Sequence, residues 1–129
     1  IGIGNLGRAI LSYFSRVRMN ITIDAAFDDD DTKIGRVIAG CNSYHISNLR
    51  EMVQKEKINV GIIAVPGCDA QAIADVLIEA GVNGIVNFAP VQLDVPKEIY
   101  LENIDITMTI EKTAFFAYNH GSKGDKIDG

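Results

Sequence analysis

Three glycines and one carboxylate carry the chemistry that this sequence can be read for. Gly2, Gly4 and Gly7 fall in a G-x-G-x-x-G run, Ile1-Gly2-Ile3-Gly4-Asn5-Leu6-Gly7, and Asp28 lies twenty-one positions beyond Gly7. The chemistry is anion binding. Gly2 permits a tight strand-to-helix bend, Gly4 lets the backbone approach a pyrophosphate, and Gly7 lets the new helix pack on its strand. The anion then rests on unpaired N–H groups at the positive end of that helix. A carboxylate at Asp28 would accept from an adenosine ribose 2′-hydroxyl and repel a 2′-phosphate, which favours NAD over NADP. The run alone also occurs in ordinary glycine turns. It needs a strand before it, a helix behind it and an acid beyond.

The elements that must position these residues follow from periodicity. Leu6, Ile10, Tyr13, Phe14 and Val17 recur at three- and four-residue steps and mark one face of a helix. Residues 21–28 read as a strand ending in Asp28. Only Ile1 precedes Gly2, where a central strand belongs, so the sequence is read as the remaining part of a longer protein. Residues 36–45 read as an irregular strand or hairpin, followed by a helix with Asn48 and Glu51 as its N-terminal signal and Leu49, Met52 and Val53 facing inward. His45, just before it, reads as structural. The apolar runs 60–65 and 84–88 read as strands buried on both faces. Between them Asp69 opens a helix with Ile73, Val76, Leu77 and Ala80 inward and Gly81 at its end.

This alternation predicts an α/β fold, a Rossmann-type doubly wound parallel sheet, over residues 1–104. In such sheets ligands bind beyond the carboxyl ends of the strands. Four ends converge: the glycine turn with Ile3, Asn5 and Leu6; Asp28; Val65-Pro66; and Asn87-Phe88-Ala89-Pro90. One dinucleotide would span them. Residues 91–104 read as extended, with one more strand near 100–103.

Composition bounds the alternatives. The chain has 129 residues, 47% hydrophobic and 22% charged, as in one ordinary globular domain. No apolar run approaches a membrane span, which points to a cytoplasmic protein. A net charge of −5 argues against this portion gripping a nucleic-acid backbone itself. Cys41 and Cys68 fit no metal-ligand spacing and are expected as reduced thiols. The acids from Asp28 to Asp31 lack the spacing of a calcium loop and read as a solvated strand end, with only Asp28 given a role. Lys33 either flanks the adenine or offsets those acids. No metal site and no catalytic residue is expected, because neither strand end near the nicotinamide offers an obvious proton shuttle. That points to a sensor, with an enzyme whose catalytic domain lies elsewhere as the alternative.

The last helix, residues 105–119, is the second informative feature. Ile106, Ile110, Ala114 and Ala117 line one side, while Met108, Phe115, Phe116 and Tyr118 spread apolar surface around others. Such a helix needs cover on more than one face, and the tail, residues 120–129, cannot supply it. It is expected to dock on another domain or be exchanged with a second subunit.

Together these stretches resemble the Rex family of redox-sensing transcriptional repressors. The resemblance runs from Gly2-Ile3-Gly4-Asn5-Leu6-Gly7-Arg8-Ala9 through Ala25-Ala26-Phe27-Asp28, Tyr44-His45-Ile46, Ala64-Val65-Pro66 and Asn87-Phe88-Ala89-Pro90-Val91 to Glu102-Asn103-Ile104-Asp105. It implies a homodimer with a domain-swapped C-terminal helix, and N-terminal winged-helix domains, absent from this sequence, that bind operator DNA. It also implies competitive binding of NAD⁺ and NADH, with NADH releasing the DNA. Asp105 would approach the partner's nicotinamide pocket, near Tyr13, and Ile106 falls where relatives cover the ring. The alternatives are the NAD-binding half of a dehydrogenase, or a coenzyme-A-binding domain of the succinyl-CoA synthetase type. The coenzyme's 3′-phosphate would sit poorly beside Asp28.

Overall fold

The computed structural model describes residues 1–16 and 20–124. The glycine turn leads into α1 (Asn5–Arg16), whose buried anchor is Leu11. That residue was not among the expected face. Tyr13, which was, is 53% exposed, and Val17 lies outside the described residues.

Of the stretch 21–28, only β1 (Ala26–Asp28) is a strand. Its length is set by its neighbours. On one side β3 (Cys41–His45) pairs with it in parallel only from Ser43 to His45. On the other side Gly2 N–H donates to Phe27 O at 2.8 Å. β2 (Val37–Ile38) forms an antiparallel hairpin with β3, so residues 36–45 do make a hairpin. Ala39 and Gly40, at φ 51° and 82°, supply the positive-φ pair that a two-residue hairpin turn requires.

α2 (Leu49–Glu56) buries Leu49 and Val53 as expected, but its entry differs. Asn48 makes no capping bond. A single 3₁₀ turn, Ile46–Asn48, precedes the helix, and His45 Nδ1 accepts the Ser47 N–H at 3.1 Å. His45 therefore has a structural role. β4 (Val60–Ile63) leads to α3 (Gly67–Ala80), which starts two residues before Asp69 with Pro66 in the cap position. Gly81 ends α3 in the left-handed conformation, its N–H on the Leu77 and Ile78 carbonyls. β5 (Gly84–Asn87) and β6 (Tyr100–Asn103) follow, and β4, β5 and β6 pair in parallel.

The two three-stranded halves are joined by the first residues of the chain. The Ile1 nitrogen donates to Ile62 O at 2.6 Å, and Ile1 O accepts from Ala64 N–H at 2.7 Å. Bonds to residues on either side of Ile63 are the pattern of a parallel ladder. With the Gly2–Phe27 bond they give the order β2-β3-β1, residues 1–3, β4-β5-β6. Helices cover both faces. α1 contributes Leu11 to a small core with Ile3, Ala26 and Cys41; α2 and α3 pack a larger one around Phe27, Ile63, Leu77 and Ile85. Adjacent residues Ala26 and Phe27 point into opposite cores, the alternation of a strand.

One expectation fails in part. Val60 is 53% exposed and Ile62 and Val86 are only half-buried. For Val60 and Ile62 the reason is an apolar cavity of about 140 Å³ beside Ile1, lined also by Ile10, Leu11, Ile21 and Ile23. Residues 21–25 border it and have no strand partner on that side.

α4 runs from Ile106 to Gly124, past the expected end at Asn119. Asp105 caps it, Oδ1 accepting the Met108 N–H at 2.9 Å. It makes no substantial contact with any other described element. Ile106, Met108, Ile110, Phe115, Phe116 and Tyr118 are all exposed.

Candidate functional site

A crevice of about 460 Å³ opens beyond the carboxyl ends of residues 1–3, β1 and β4. Its floor is the glycine turn. Gly2 has φ 102°, and a Cβ there would stand 2.5 Å from Ala64 O. A Cβ on Gly7 would collide with the Gly2 carbonyl oxygen, so α1 starts in direct contact with the turn. Gly4 differs: a Cβ would meet nothing within 4 Å. The backbone there is bare on its crevice side, which suits the close approach of a phosphate group. The first turn of α1 holds no acidic residue, and its N–H groups lack intrahelical partners. Its dipole end is thus available to an anion.

Asp28 stands at the tip of β1 on the crevice wall. Its Oδ2 accepts the Ile3 N–H at 2.7 Å and its Oδ1 the Asp30 N–H at 2.9 Å. Burial by itself would raise its pKa; the two N–H bonds and the nearby Lys33 charge outweigh that and hold it below the ordinary carboxylate range. The carboxylate is therefore anionic at neutral pH and braces the glycine turn. Each oxygen keeps a further lone pair, so it can still accept from a ribose hydroxyl.

The acid run has more structure than a solvated loop requires. Asp30 Oδ1 accepts from Thr32 N–H (2.9 Å) and Thr32 Oγ1–H (2.7 Å), capping the 3₁₀ turn Asp31–Lys33. That turn brings Lys33 into the crevice lining. Asp30 was missed because its role is to hold a turn, and a run of four acids does not single out one of them.

Of the expected residues, Gly2, Ile3, Gly4, Asp28, Lys33, Val65 and Pro66 line this crevice. Asn5, Leu6 and Gly7 lie behind the turn in α1. Tyr13 stands exposed, its ring edge-on to Phe14. Asp105 and Ile106 lie at the root of α4, outside the crevice of their own chain. Asn87 is fully buried and bonded to the following loop rather than turned toward the crevice. Phe88, Ala89 and Pro90 form that loop and do not line the cavity. The structure adds Ile1, the acids Asp29 and Asp30, and Ile46, Ala64, Asp69, Ala72 and Ile73. The last three share the N-terminal face of α3, at helical spacing. Their signal was available: α3 begins directly after the β4 tip, so its first turns must face the crevice.

Cys41 is buried and Cys68 exposed, both as free thiols, and burial pushes the Cys41 thiol up. Among the described residues no cluster of three or more His, Cys, Asp or Glu could hold a metal ion, and no helix is long and apolar enough to cross a membrane.

With this geometry in hand, the relatives can be placed. The family model of the CoA binding domain matches residues 1–91. The chain is 41% identical over 122 residues to the redox-sensing transcriptional repressor Rex of Leuconostoc citreum, covering 95% of this chain and 56% of that protein. Among solved structures it is similar to RSP, a Rex-family repressor. RSP in complex with β-NADH superposes with a TM-score of 0.86 at 29% identity, over 98% of this chain and 61% of that one. RSP in complex with β-NAD⁺ and operator DNA gives a TM-score of 0.87 at 30% identity, over 99% of this chain and 58% of that one. This chain thus spans somewhat over half the length of the proteins it matches. It belongs to the CoA binding domain family and, within it, matches the C-terminal domain region of the Rex-family repressors.

Proposed function

We propose that this chain is the NAD(H)-binding and dimerisation part of a cytoplasmic, redox-sensing transcriptional repressor, and that it is not an enzyme. The observation that carries the reading is the pairing of an open backbone at Gly4 with the anionic Asp28 across one crevice. The first suits a pyrophosphate and the second an unphosphorylated adenosine ribose. The turn Asp31–Lys33 sets one cation beside the adenosine end. Val65 and Pro66 provide apolar wall at the other. Relatives named as repressors favour binding over turnover.

The redox sense follows from ring charge. The nicotinamide of NAD⁺ is cationic and that of NADH neutral. A lining of Val65 and Pro66, with Phe88 and a partner's Ile106 closing over it, favours the neutral ring, because an unpaired charge is costly to bury. The exposed apolar faces of α4 suit exchange with a second subunit, which would bring Asp105 and Ile106 to the partner's crevice and near its Tyr13. Since a ligand shifts an equilibrium only through differential affinity, NADH must bind the DNA-releasing arrangement more tightly than the DNA-binding one. Operator DNA would be held by a winged-helix domain outside these residues.

Coenzyme A is the second reading, favoured by the family model over residues 1–91. Asp28 weighs against it, since the 3′-phosphate would meet a fixed carboxylate. Titration with NADH, NAD⁺ and coenzyme A in one buffer tests the proposal. It expects NADH tightest and coenzyme A weakest; equal affinity for NADH and NAD⁺ would remove the redox sense, and tightest binding of coenzyme A would remove the dinucleotide reading.

A further inference from the structure

The Asn87 carboxamide is fully buried, and its bonds join two parts of the molecule that the proposed function treats separately. Its Oδ1 accepts the Ala89 N–H at 3.0 Å. Its Nδ2 stands 3.2 Å from Ala89 O, 3.1 Å from Val91 O and 3.0 Å from Asn103 Oδ1. The Ala89 N–H fixes which end of the Asn87 amide is oxygen, and that in turn requires Asn103 to present its oxygen. An amide nitrogen carries two hydrogens, so three acceptors share two donors.

Both partners of this junction lead somewhere. The loop Phe88–Val91 lies against the crevice wall: Phe88 N–H donates to Ile63 O, next to the lining residue Ala64, and Val91 packs on Gly67, just past Pro66. On the other side Asn87 O accepts the Ile104 N–H at 2.9 Å, and Ile104 adjoins Asp105, the cap of α4. One buried side chain thus ties the crevice edge to the root of the unpartnered helix.

Resting on the reading above, we propose that Asn87 is a positioning residue and Asn103 its relay, coupling the Phe88–Val91 loop to the root of α4. A ring settling against Val65 and Pro66, with Phe88 closing over it, moves the loop carbonyls, and so changes the share of the two Asn87 hydrogens left for Asn103. When the loop takes both, the side-chain tether on β6 is lost and the backbone ladder alone holds the strand; when it takes one, the tether adds to the ladder. The crevice and α4 are linked by this redistribution without a long-range chain of contacts.

Asn103 is exposed, so Asn103→Ala opens no buried void and leaves Asn87 its loop partners. The test is NADH titration together with amide hydrogen exchange over residues 100–104, the strand end that leads into α4 and lies before the residues offered to the partner's crevice, with and without saturating NADH, on wild type, Asn103→Ala and Asn103→Asp. In wild type NADH changes exchange there; in Asn103→Ala the NADH affinity stays within about threefold while that response falls by about tenfold. Asn103→Asp, which keeps an acceptor oxygen, retains the response. A merely structural role would lower stability in both variants and leave the response intact. An Asn103→Ala response equal to wild type overturns the inference, as does a wild-type segment 100–104 that is silent to saturating NADH. Failure of wild type to bind NADH is seen first, in the titration, and removes the proposed function together with this inference.

Discussion

Replacing Asp28 by Asn removes one charge and no volume, and the structure sets the size of the effect. The carboxylate accepts from two backbone donors, Ile3 N–H and Asp30 N–H, one through each oxygen. A carboxamide has one oxygen, so its NH₂ must face one of those donors. The oxygen is best spent on the part-buried Ile3 N–H, which leaves the exposed Asp30 N–H to water. Losing a hydrogen bond to a charged acceptor costs about 1.5–3 kcal/mol, and exposure at Asp30 places the loss near the lower end. A drop of roughly 2 kcal/mol lowers the melting temperature of a domain this size by about 5–10 °C. The same substitution removes the charge-assisted bond offered to a ribose hydroxyl, so NADH binding weakens by roughly 10–100-fold. NADPH, no longer repelled, should lose much less. The folded-state pKa of Asp28 is depressed. Its stabilisation is therefore present above the ordinary carboxylate value and is lost as pH falls from about 4 through the lower folded value. Wild type should lose stability over that acid window more steeply than the variant. Thermal melts at pH 7 and pH 3, with calorimetric titration of both cofactors, read all three effects. A variant with unchanged melting temperature, unchanged acid slope and the same NADH-to-NADPH ratio would refute the roles given to this carboxylate.

Two further substitutions probe other parts of the account. Gly7→Ala drives a methyl group into the Gly2 carbonyl oxygen, so α1 must shift off the turn; we expect a loss of about 3 kcal/mol or more in urea unfolding and no measurable NADH binding. Phe115→Glu places a charge on an exposed apolar face of α4. Sedimentation should show a shift from the proposed dimer toward monomer with the secondary structure retained in circular dichroism, because α4 makes no substantial contact with another described element of its own chain, and the melting temperature should fall only by the share that association contributes.

The sequence carried the order of elements because that order follows from period alone. Alternating apolar runs and helical faces placed the strands, and Gly81 marked the end of α3, where a left-handed residue is required; the turn at Ala39-Gly40 was not legible, because alanine gives no sign of a positive φ. What escaped was tertiary. Residues 21–25 look like strand, yet pairing needs a neighbour, and there they border a cavity. Val60 belongs to an apolar run, but the same cavity leaves it without cover. Ala70 and Ala74, fully buried on α3, were passed over because alanine adds little to an apolar pattern, although small side chains let that helix sit close to the sheet. At the site, Gly2, Gly4 and Asp28 were legible because backbone geometry and a fixed spacing demand them. Asn87 was legible as a position only: its place at a strand end suggested a ligand contact, whereas its bonds run to the loop and to β6. Asp69 and Ile73 become site residues solely through the direction in which α3 leaves β4.

The two cavities give the central claim its most direct test. Backbone amide chemical shifts should be followed as NADH is added to the isotopically labelled protein. We expect the largest changes at Gly2, Gly4, Gly7 and Asp30, around the crevice of about 460 Å³. Changes centred instead on residues 21–23 and Val60, around the apolar cavity, or none at saturating NADH, would contradict it.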